Sequence, residues 1–151
     1  MEPRINFNRA APDGIAAMRA LEHYVNRFSG LEPSLRELIK VRASEINGCA
    51  YCIDMHTKDA RAQGETEQRL YALNAWRETP FFTERERAAL EWTEAVTLIA
   101  DGRAPDELFF RVRQYFSEAE MVNLTLAIVT INGWNRLAIA FRSVPGSYKP
   151  Q

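Results

Sequence analysis

Apolar residues recur every three or four positions along almost all of this 151-residue chain. That spacing places them on one face of an α-helix, and no stretch shows the convincing apolar–polar alternation of a half-buried strand. The first long segment carries Ile15, Met18, Leu21 and Val25 on one such face. Turn-forming residues then divide the chain into segments of helical length, at Ser29-Gly30, Pro33, Asn47-Gly48, Gly64, Pro80, Gly102, Pro105 and Pro145-Gly146. We therefore predict an all-α fold of six to eight helices in a single domain, residues 1–151.

Two helix starts carry the signature of a capping box, in which a hydroxyl and a carboxylate three residues on satisfy each other's backbone N–H groups. They are Thr83 with Glu86 and Ser117 with Glu120. The helix that Ser117 opens is apolar around nearly its whole circumference, through Met121, Val122, Leu124, Ala127, Ile128, Val129 and Ile131. Solvent cannot cover such a helix, so we predict a central or subunit-interface position for it and a homo-oligomer for the protein.

The charge balance limits the partners that this chain can have. Nineteen basic and twenty acidic side chains give a formal charge of −1, which provides no broad positive field for nucleic acid or an anionic membrane. The apolar stretch from Leu124 to Ile131 is too short to span a bilayer, and the first residues lack the apolar core of a signal peptide. We expect a cytoplasmic protein, in which a structural disulfide is disfavoured and the cysteines are free for chemistry.

The chain's only two cysteines, Cys49 and Cys52, are three positions apart and are followed by His56. Asn47-Gly48 can end one helix in a left-handed turn, which places Cys49 at the start of the next helix and Cys52 in its first turn. Free amide N–H groups and the helix dipole stabilise a thiolate there by about 0.3–1 kcal/mol. At about 100° per residue the three side chains share one helix face, so His56 could reach Cys52 directly or through one water. The pattern predicts thiol redox chemistry.

Two carboxylates on the preceding helix are candidates to assist the histidine. Glu37 and Glu45 could each orient His56 or accept a relayed proton. Glu37 has apolar neighbours, which suggests a partly buried carboxylate, whereas Glu45 could be a solvated helix end. This favours Glu37 without excluding Glu45.

Other uses of the same residues compete with redox chemistry. Two thiolates and one imidazole are three of the four ligands that zinc prefers. The chain has no third cysteine, and its second histidine is His23, so we expect no metal site. The thiols could also be small apolar side chains that serve packing alone. No Gly-rich phosphate cradle is present, and we expect no cofactor.

The segment from Leu35 to Gly64 resembles the AhpD-like alkylhydroperoxidase branch of the carboxymuconolactone decarboxylase superfamily. It has Glu37 twelve residues before the first cysteine, then Ile46-Asn47-Gly48-Cys49-Ala50-Tyr51-Cys52, then His56. The tail from Ile131 through Pro145-Gly146 is similar to that family's smaller members. The resemblance implies an all-helical fold that assembles into trimers or hexamers.

The resemblance also implies a peroxidase that acts on organic or hydrogen peroxides. Cys52 would attack the peroxide and become a sulfenic acid, and Cys49 would condense with it to form a disulfide. His56 and Glu37 would relay protons, and an external dithiol reductant would restore the thiols.

Two positions differ from what this activity would favour. The best-known members of the branch have a histidine directly before the second cysteine, where this chain has Tyr51. The extra carboxylate of Glu45 would oppose thiolate formation if it lay within about 6 Å. Weak peroxidase activity is one expectation, and two others remain open: a disulfide oxidoreductase or redox sensor without peroxide turnover, and a helical metal-binding or interaction protein.

Overall fold

The computed structural model describes residues 1–150, and the regular structure in that part of the chain is entirely helical. The all-α prediction is confirmed. The described residues form nine α-helices and one 3-10 helix, in the order α1 (Phe7–Ala10), α2 (Pro12–Phe28), α3 (Pro33–Asn47), α4 (Ala50–Ala62), α5 (Glu67–Ala72), the 3-10 helix (Leu73–Glu78), α6 (Glu84–Thr97), α7 (Ile99–Gly102), α8 (Asp106–Val112) and α9 (Glu118–Ala140). The count exceeds six to eight because α1 and α7 are single turns of four residues. Within residues 1–150, none of these helices is both long and apolar enough to cross a membrane.

Helix α3 lies at the centre of the fold and packs against α4, α6 and α9. Pro33 starts the helix at a position where its missing N–H costs nothing. Eight of its 15 residues are buried, and they include the polar side chains of Glu37, Lys40 and Ser44. Charged side chains are almost never buried without partners. The central helix therefore carries polar groups whose partners must come from neighbouring helices.

Helix α9 occupies the central position that its composition predicts. Leu124, Ile128 and Ile131 are fully or almost fully buried, on the side that faces α3 and α6. The opposite side leaves Val122 60% exposed and Val129 49% exposed. The helix is thus a core element with a partly apolar outer face, and the homo-oligomer stays a prediction.

The turn between α3 and α4 has the left-handed geometry that Asn47-Gly48 predicts. Gly48 has φ +67°, and its N–H donates to the Glu45 carbonyl at 3.1 Å. The Cys49 N–H donates to the Ser44 carbonyl at 2.9 Å, which completes a Schellman turn. Both predicted capping boxes, at Thr83 and Ser117, are also present. Local sequence therefore fixes the point at which the chain leaves α3 and delivers the first cysteine to α4.

Replacing Gly48 by alanine should lower the free energy of unfolding by about 1 kcal/mol, because a side chain disfavours the left-handed region. An added Cβ would meet no atom within 4 Å, so the cost is conformational. Gly14→Ala is the matched control, since Gly14 lies in the first turn of α2 with equally open space, and alanine there should stabilise the helix by about 0.5–1 kcal/mol. Urea denaturation of both variants measures the difference; equal stabilities would contradict the strained turn.

Candidate active site

Cys49 and Cys52 lie at the N-terminus of α4 as free thiols. Cys49 is the N-cap residue, and Cys52 is the third residue of the helix. Their side chains are 1% and 2% exposed, and they pack with Ala43 of α3 and with Ile131 and Ala138 of α9. The two thiols are therefore buried together at a helix start, where amide N–H groups lack helical partners.

The two thiols have unequal acidity. The Cys52 thiol lowers the pKa of Cys49 to about 7, and this effect outweighs burial, with help from the amide N–H groups of Cys52 and Tyr51 and the side chain of Asn135. The pKa of Cys52 is raised, first by its hydrogen bond to Cys49 and then by burial. The first negative charge of the pair accordingly sits on Cys49, while Cys52 keeps its proton.

A network of polar groups from α3 and α9 lies beside the cysteines. Asn135 is completely buried, and its side-chain amide donates to Ser44 Oγ at 3.0 Å and accepts from the Asn47 amide at 2.9 Å. Ser44 in turn donates to the Lys40 carbonyl at 2.7 Å. These contacts hold the end of α3 against α9 beside Cys49. Sequence reasoning did not identify Asn135, because α9 also contains Asn123 and Asn132 and the sequence pattern does not distinguish the three amides.

Glu37 and His56 form a buried pair between α3 and α4. Glu37 Oε2 lies 2.9 Å from His56 Nδ1, and its Oε1 accepts from Lys40 Nζ at 2.9 Å. Lys40 also donates to Asn26 of α2 at 3.1 Å. Burial alone would raise the pKa of Glu37, but His56 and Lys40 outweigh it and hold that pKa at about 2. Because an ionised carboxylate can only accept, the proton in the contact with His56 belongs to Nδ1, and in the neutral ring Nε2 is then free to accept another.

Two neighbouring cavities adjoin the site. One of about 220 Å³ is lined by Cys52 and by residues of α1, α2, α4 and α9, namely Phe7, Asn8, Arg19, Glu22, Tyr51, Met55, Trp134 and Ala138. The other, of about 530 Å³ and mostly polar, is lined by His56, Glu37 and Lys40 among others. Glu22 and Met55 line both. The thiol and the imidazole thus face adjacent cavities, and the described residues show no direct hydrogen bond between them.

Glu45 is not brought to the cysteines. Its carboxylate pairs with Arg42 at 2.9 Å, and Arg42 also binds Glu94 of α6 at 2.9 Å. Burial is the main cause that raises the pKa of Glu45. Of the two acids on α3, the structure places Glu37 against His56 and commits Glu45 to a separate ion-pair network.

Within residues 1–150, the two cysteines and His56 do not cluster closely enough to hold one zinc ion. In residues 1–150 the potential ligands that cluster closely enough for one ion are Glu37, His56 and Asp59, whose ligand atoms lie within 4.8 Å of one another. Neither cysteine belongs to this group. The Lys40 ammonium, which already binds Glu37, would repel a cation there.

Sequence comparison decides the family. The model of the carboxymuconolactone decarboxylase family matches residues 12–95, which is more than half of the chain and contains Glu37, Cys49, Cys52 and His56. The chain belongs to this family. The uncharacterized protein YdfG of Bacillus subtilis (strain 168), a relative, is 50% identical over 140 residues, which are 93% of this chain and 95% of YdfG.

Solved structures place the chain in the AhpD-like branch of the family. The protein of unknown function ATU0492 from Agrobacterium tumefaciens, suggested to be the antioxidant defence protein AhpD, matches with a TM-score of 0.93 and 49% identity over 97% of this chain and 100% of that one. The debrominase Bmp8 matches with a TM-score of 0.82 over 92% of this chain and 74% of its own. At 23% identity, the Bmp8 match shows the shared fold alone. Membership of this branch suggests a peroxidase-related oxidoreductase.

Tyr51 stands where the best-known members of the branch have a histidine, so this chain lacks an imidazole directly before its second cysteine. Tyr51 packs against the buried cluster that contains Cys49 and Cys52, and it lines the Cys52 cavity. Burial, followed by the negative charge of the cysteine pair and of Asp54, raises the pKa of its phenol. Tyr51 therefore stays protonated near neutral pH and supplies cavity wall instead of a neutral-pH base.

Glu37 should make stability depend on pH with a definite sign. Its pKa is about 2 in the folded protein against an ordinary value of 4.5, so its contribution is fully present above about pH 4.5 and is lost as the pH falls towards 2. The shift corresponds to a free energy on the order of 3 kcal/mol. Glu37→Gln should flatten this acid loss in urea titrations, whereas Glu45→Gln, on the same helix, should not. Equal acid slopes for the parent and Glu37→Gln would contradict the buried pair.

Proposed function

We propose that this protein is a thiol-dependent peroxidase that reduces organic hydroperoxides or hydrogen peroxide. The observation that carries the proposal is a buried dithiol at a helix N-terminus that opens onto a cavity, next to His56 and its ionised partner Glu37. The dithiol supplies two electrons, and the imidazole supplies a place for the proton. The catalytic residues proposed are Cys49, Cys52, His56 and Glu37.

Cys52 is the sulfur that a bound hydroperoxide would meet, because Cys52 lines the cavity and Cys49 is not among the lining residues. His56 takes the Cys52 proton through a water. The Cys52 sulfur then bonds to the terminal peroxide oxygen while the O–O bond breaks. His56 returns the proton to the departing alkoxide, which leaves as the alcohol, and Cys52 remains as a sulfenic acid.

Cys49 completes the cycle from its position at the helix start. In the reduced pair its pKa is lowered to about 7, and the amide N–H groups of Cys52 and Tyr51 that help to lower it remain in place to stabilise a Cys49 thiolate after Cys52 is oxidised. This thiolate attacks the Cys52 sulfur, displaces hydroxide and forms the intramolecular disulfide. The net reaction converts hydroperoxide and two thiols into alcohol, water and a disulfide, and an external dithiol reductant restores the two thiols.

The cavity supports an organic group on the substrate. Phe7, Met55 and Trp134 give it apolar and aromatic walls. The exposed apolar residues of α9, among them Val122 and Val129, support the further proposal that copies of this chain assemble as a trimer or hexamer.

A thiol count before and after one equivalent of tert-butyl hydroperoxide tests the proposal, on reduced, metal-free protein. The parent should lose both thiols and form a disulfide between Cys49 and Cys52. Cys49→Ser should accumulate a sulfenic acid that a dimedone probe traps. Cys52→Ser should keep its remaining thiol for many minutes.

The other functions give different results in the same experiment. If the thiols survive peroxide but exchange rapidly with a small disulfide, the result would favour a disulfide oxidoreductase or redox sensor over a peroxidase. About one zinc per chain in untreated protein, lost together with the fold on chelation, would support a metal-binding protein. A sulfenic acid trapped in Cys52→Ser and not in Cys49→Ser would reverse the roles of the cysteines.

Two carboxylates on one helix provide a matched test of the proton relay. Glu37→Gln should lower the second-order rate constant for peroxide-dependent thiol loss by about 10²-fold or more, because the amide no longer stabilises a protonated His56. Glu45→Gln should change that rate constant by less than about twofold, since Glu45 binds Arg42. Stopped-flow measurements with tert-butyl hydroperoxide give both constants. Equal losses in the two variants would contradict the assigned relay.

A further inference from the structure

A second carboxylate lies beside His56, and the relay described above does not use it. Asp59 Oδ2 is 3.9 Å from His56 Nδ1, the same nitrogen that lies 2.9 Å from Glu37. This separation is too long for a hydrogen bond, but a protonated ring and a carboxylate attract each other strongly at that distance. Asp59 follows His56 by three residues on α4, so the helix itself keeps the two side chains on one face.

Asp59 is fixed from its other side by the C-terminal tail. Its Oδ1 accepts from the Tyr148 hydroxyl at 2.7 Å. Lys58 donates to the Tyr148 carbonyl at 3.2 Å, and the Gly146 N–H donates to Asp54 Oδ2 at 3.0 Å. Three contacts thus tie residues 146–148 to α4, and one of them ends on the carboxylate next to His56.

The charges around His56 show what Asp59 adds. The charged and titratable side chains that line the cavity of His56 are Glu22 and Arg27 of α2, Arg36, Glu37 and Lys40 of α3, Asp59 of α4, and Tyr148 of the tail. Within residues 1–150, Glu37 and Asp59 are the acids within ion-pair distance of the ring. Lys40 is buried with Glu37 and pairs with it at 2.9 Å, whereas no lysine or arginine of the described residues pairs with Asp59. Asp59 is therefore an acid next to His56 that has no direct lysine or arginine partner in the described residues.

We propose that Asp59, held in place by Tyr148, is a positioning residue that stabilises the protonated ring of His56. The inference rests on the proposed function in one respect, the assignment of His56 as the acceptor of the Cys52 proton. When His56 takes that proton, the cluster of Glu37, Lys40, His56 and Asp59 changes from one net negative charge to neutral. Without Asp59 the same step would change a neutral cluster into a positive one, which burial disfavours.

NMR of the imidazole ring tests this directly, by the ratio of protonated to neutral His56 at a fixed pH. The chain has two histidines, so a His23→Gln variant assigns the signals. Asp59→Asn should lower the ratio about tenfold. Tyr148→Phe, which keeps the Asp59 charge but releases its side chain, should lower it by a smaller factor, and Asp59→Glu should restore part of the parent ratio.

Asp54→Asn is the matched control, because it makes the same substitution on the same helix and also loses a contact to the tail. It should change the ratio by no more than about twofold. An unchanged ratio in folded Asp59→Asn, or an equal fall in Asp54→Asn, overturns the inference. If Asp59→Asn does not fold, an unchanged ratio in Tyr148→Phe does so.

The peroxidase proposal fails on a different result. If both thiols of the parent survive tert-butyl hydroperoxide, the peroxidase proposal is wrong. A fall in the ratio of protonated to neutral His56 in Asp59→Asn would still establish the positioning role of Asp59. Conversely, rapid thiol loss in the parent together with an unchanged His56 ratio in Asp59→Asn would support the peroxidase proposal and contradict a role of Asp59 in its proton relay.

Discussion

The candidate site is organised around the contacts of the buried Glu37 carboxylate with His56 and Lys40. The carboxylate is ionised inside the protein because His56 and Lys40 together outweigh the cost of burying it. Since Lys40 also binds Asn26, this one charge connects α2, α3 and α4. The same charge sets the proton on Nδ1 of His56 and leaves the other ring nitrogen able to accept. Structural attachment and proton handling are therefore properties of a single group.

The dithiol lies at the turn that joins α3 and α4, at the opposite end of α3 from Glu37. The turn at Gly48 delivers Cys49 to unpaired amide N–H groups, so negative charge is favoured on Cys49, while Cys52 keeps its proton and faces the cavity. A nucleophile that is protonated until it meets substrate needs a base nearby, and His56 is positioned one helical turn further along α4. In the proposed peroxidase, this difference would let Cys52 meet the peroxide while Cys49 is ready to close the disulfide.

The parts of this arrangement that depend on neighbours in sequence could be predicted. Helical periodicity, the left-handed turn at Gly48 and the placement of both cysteines follow from local geometry. The choice between Glu37 and Glu45 could not be made by pattern alone, because it depends on which face of α3 packs against α4 and which lies near Glu94 of α6, where Arg42 binds Glu45. The contacts of Asn135 and of Tyr148 join segments about 90 residues apart. Such contacts arise from tertiary packing, and helical periodicity does not predict which residues of two distant helices meet.

Catalytic turnover of a hydroperoxide shows most directly whether this protein is a thiol-dependent peroxidase. The measurement is the amount of tert-butanol formed from tert-butyl hydroperoxide per chain, with dithiothreitol as the reductant and Cys52→Ser as the reference. The account predicts many equivalents of alcohol per chain for the parent and only the background rate for Cys52→Ser. Alcohol formation at the background rate by the parent, with both thiols still reduced, would contradict it.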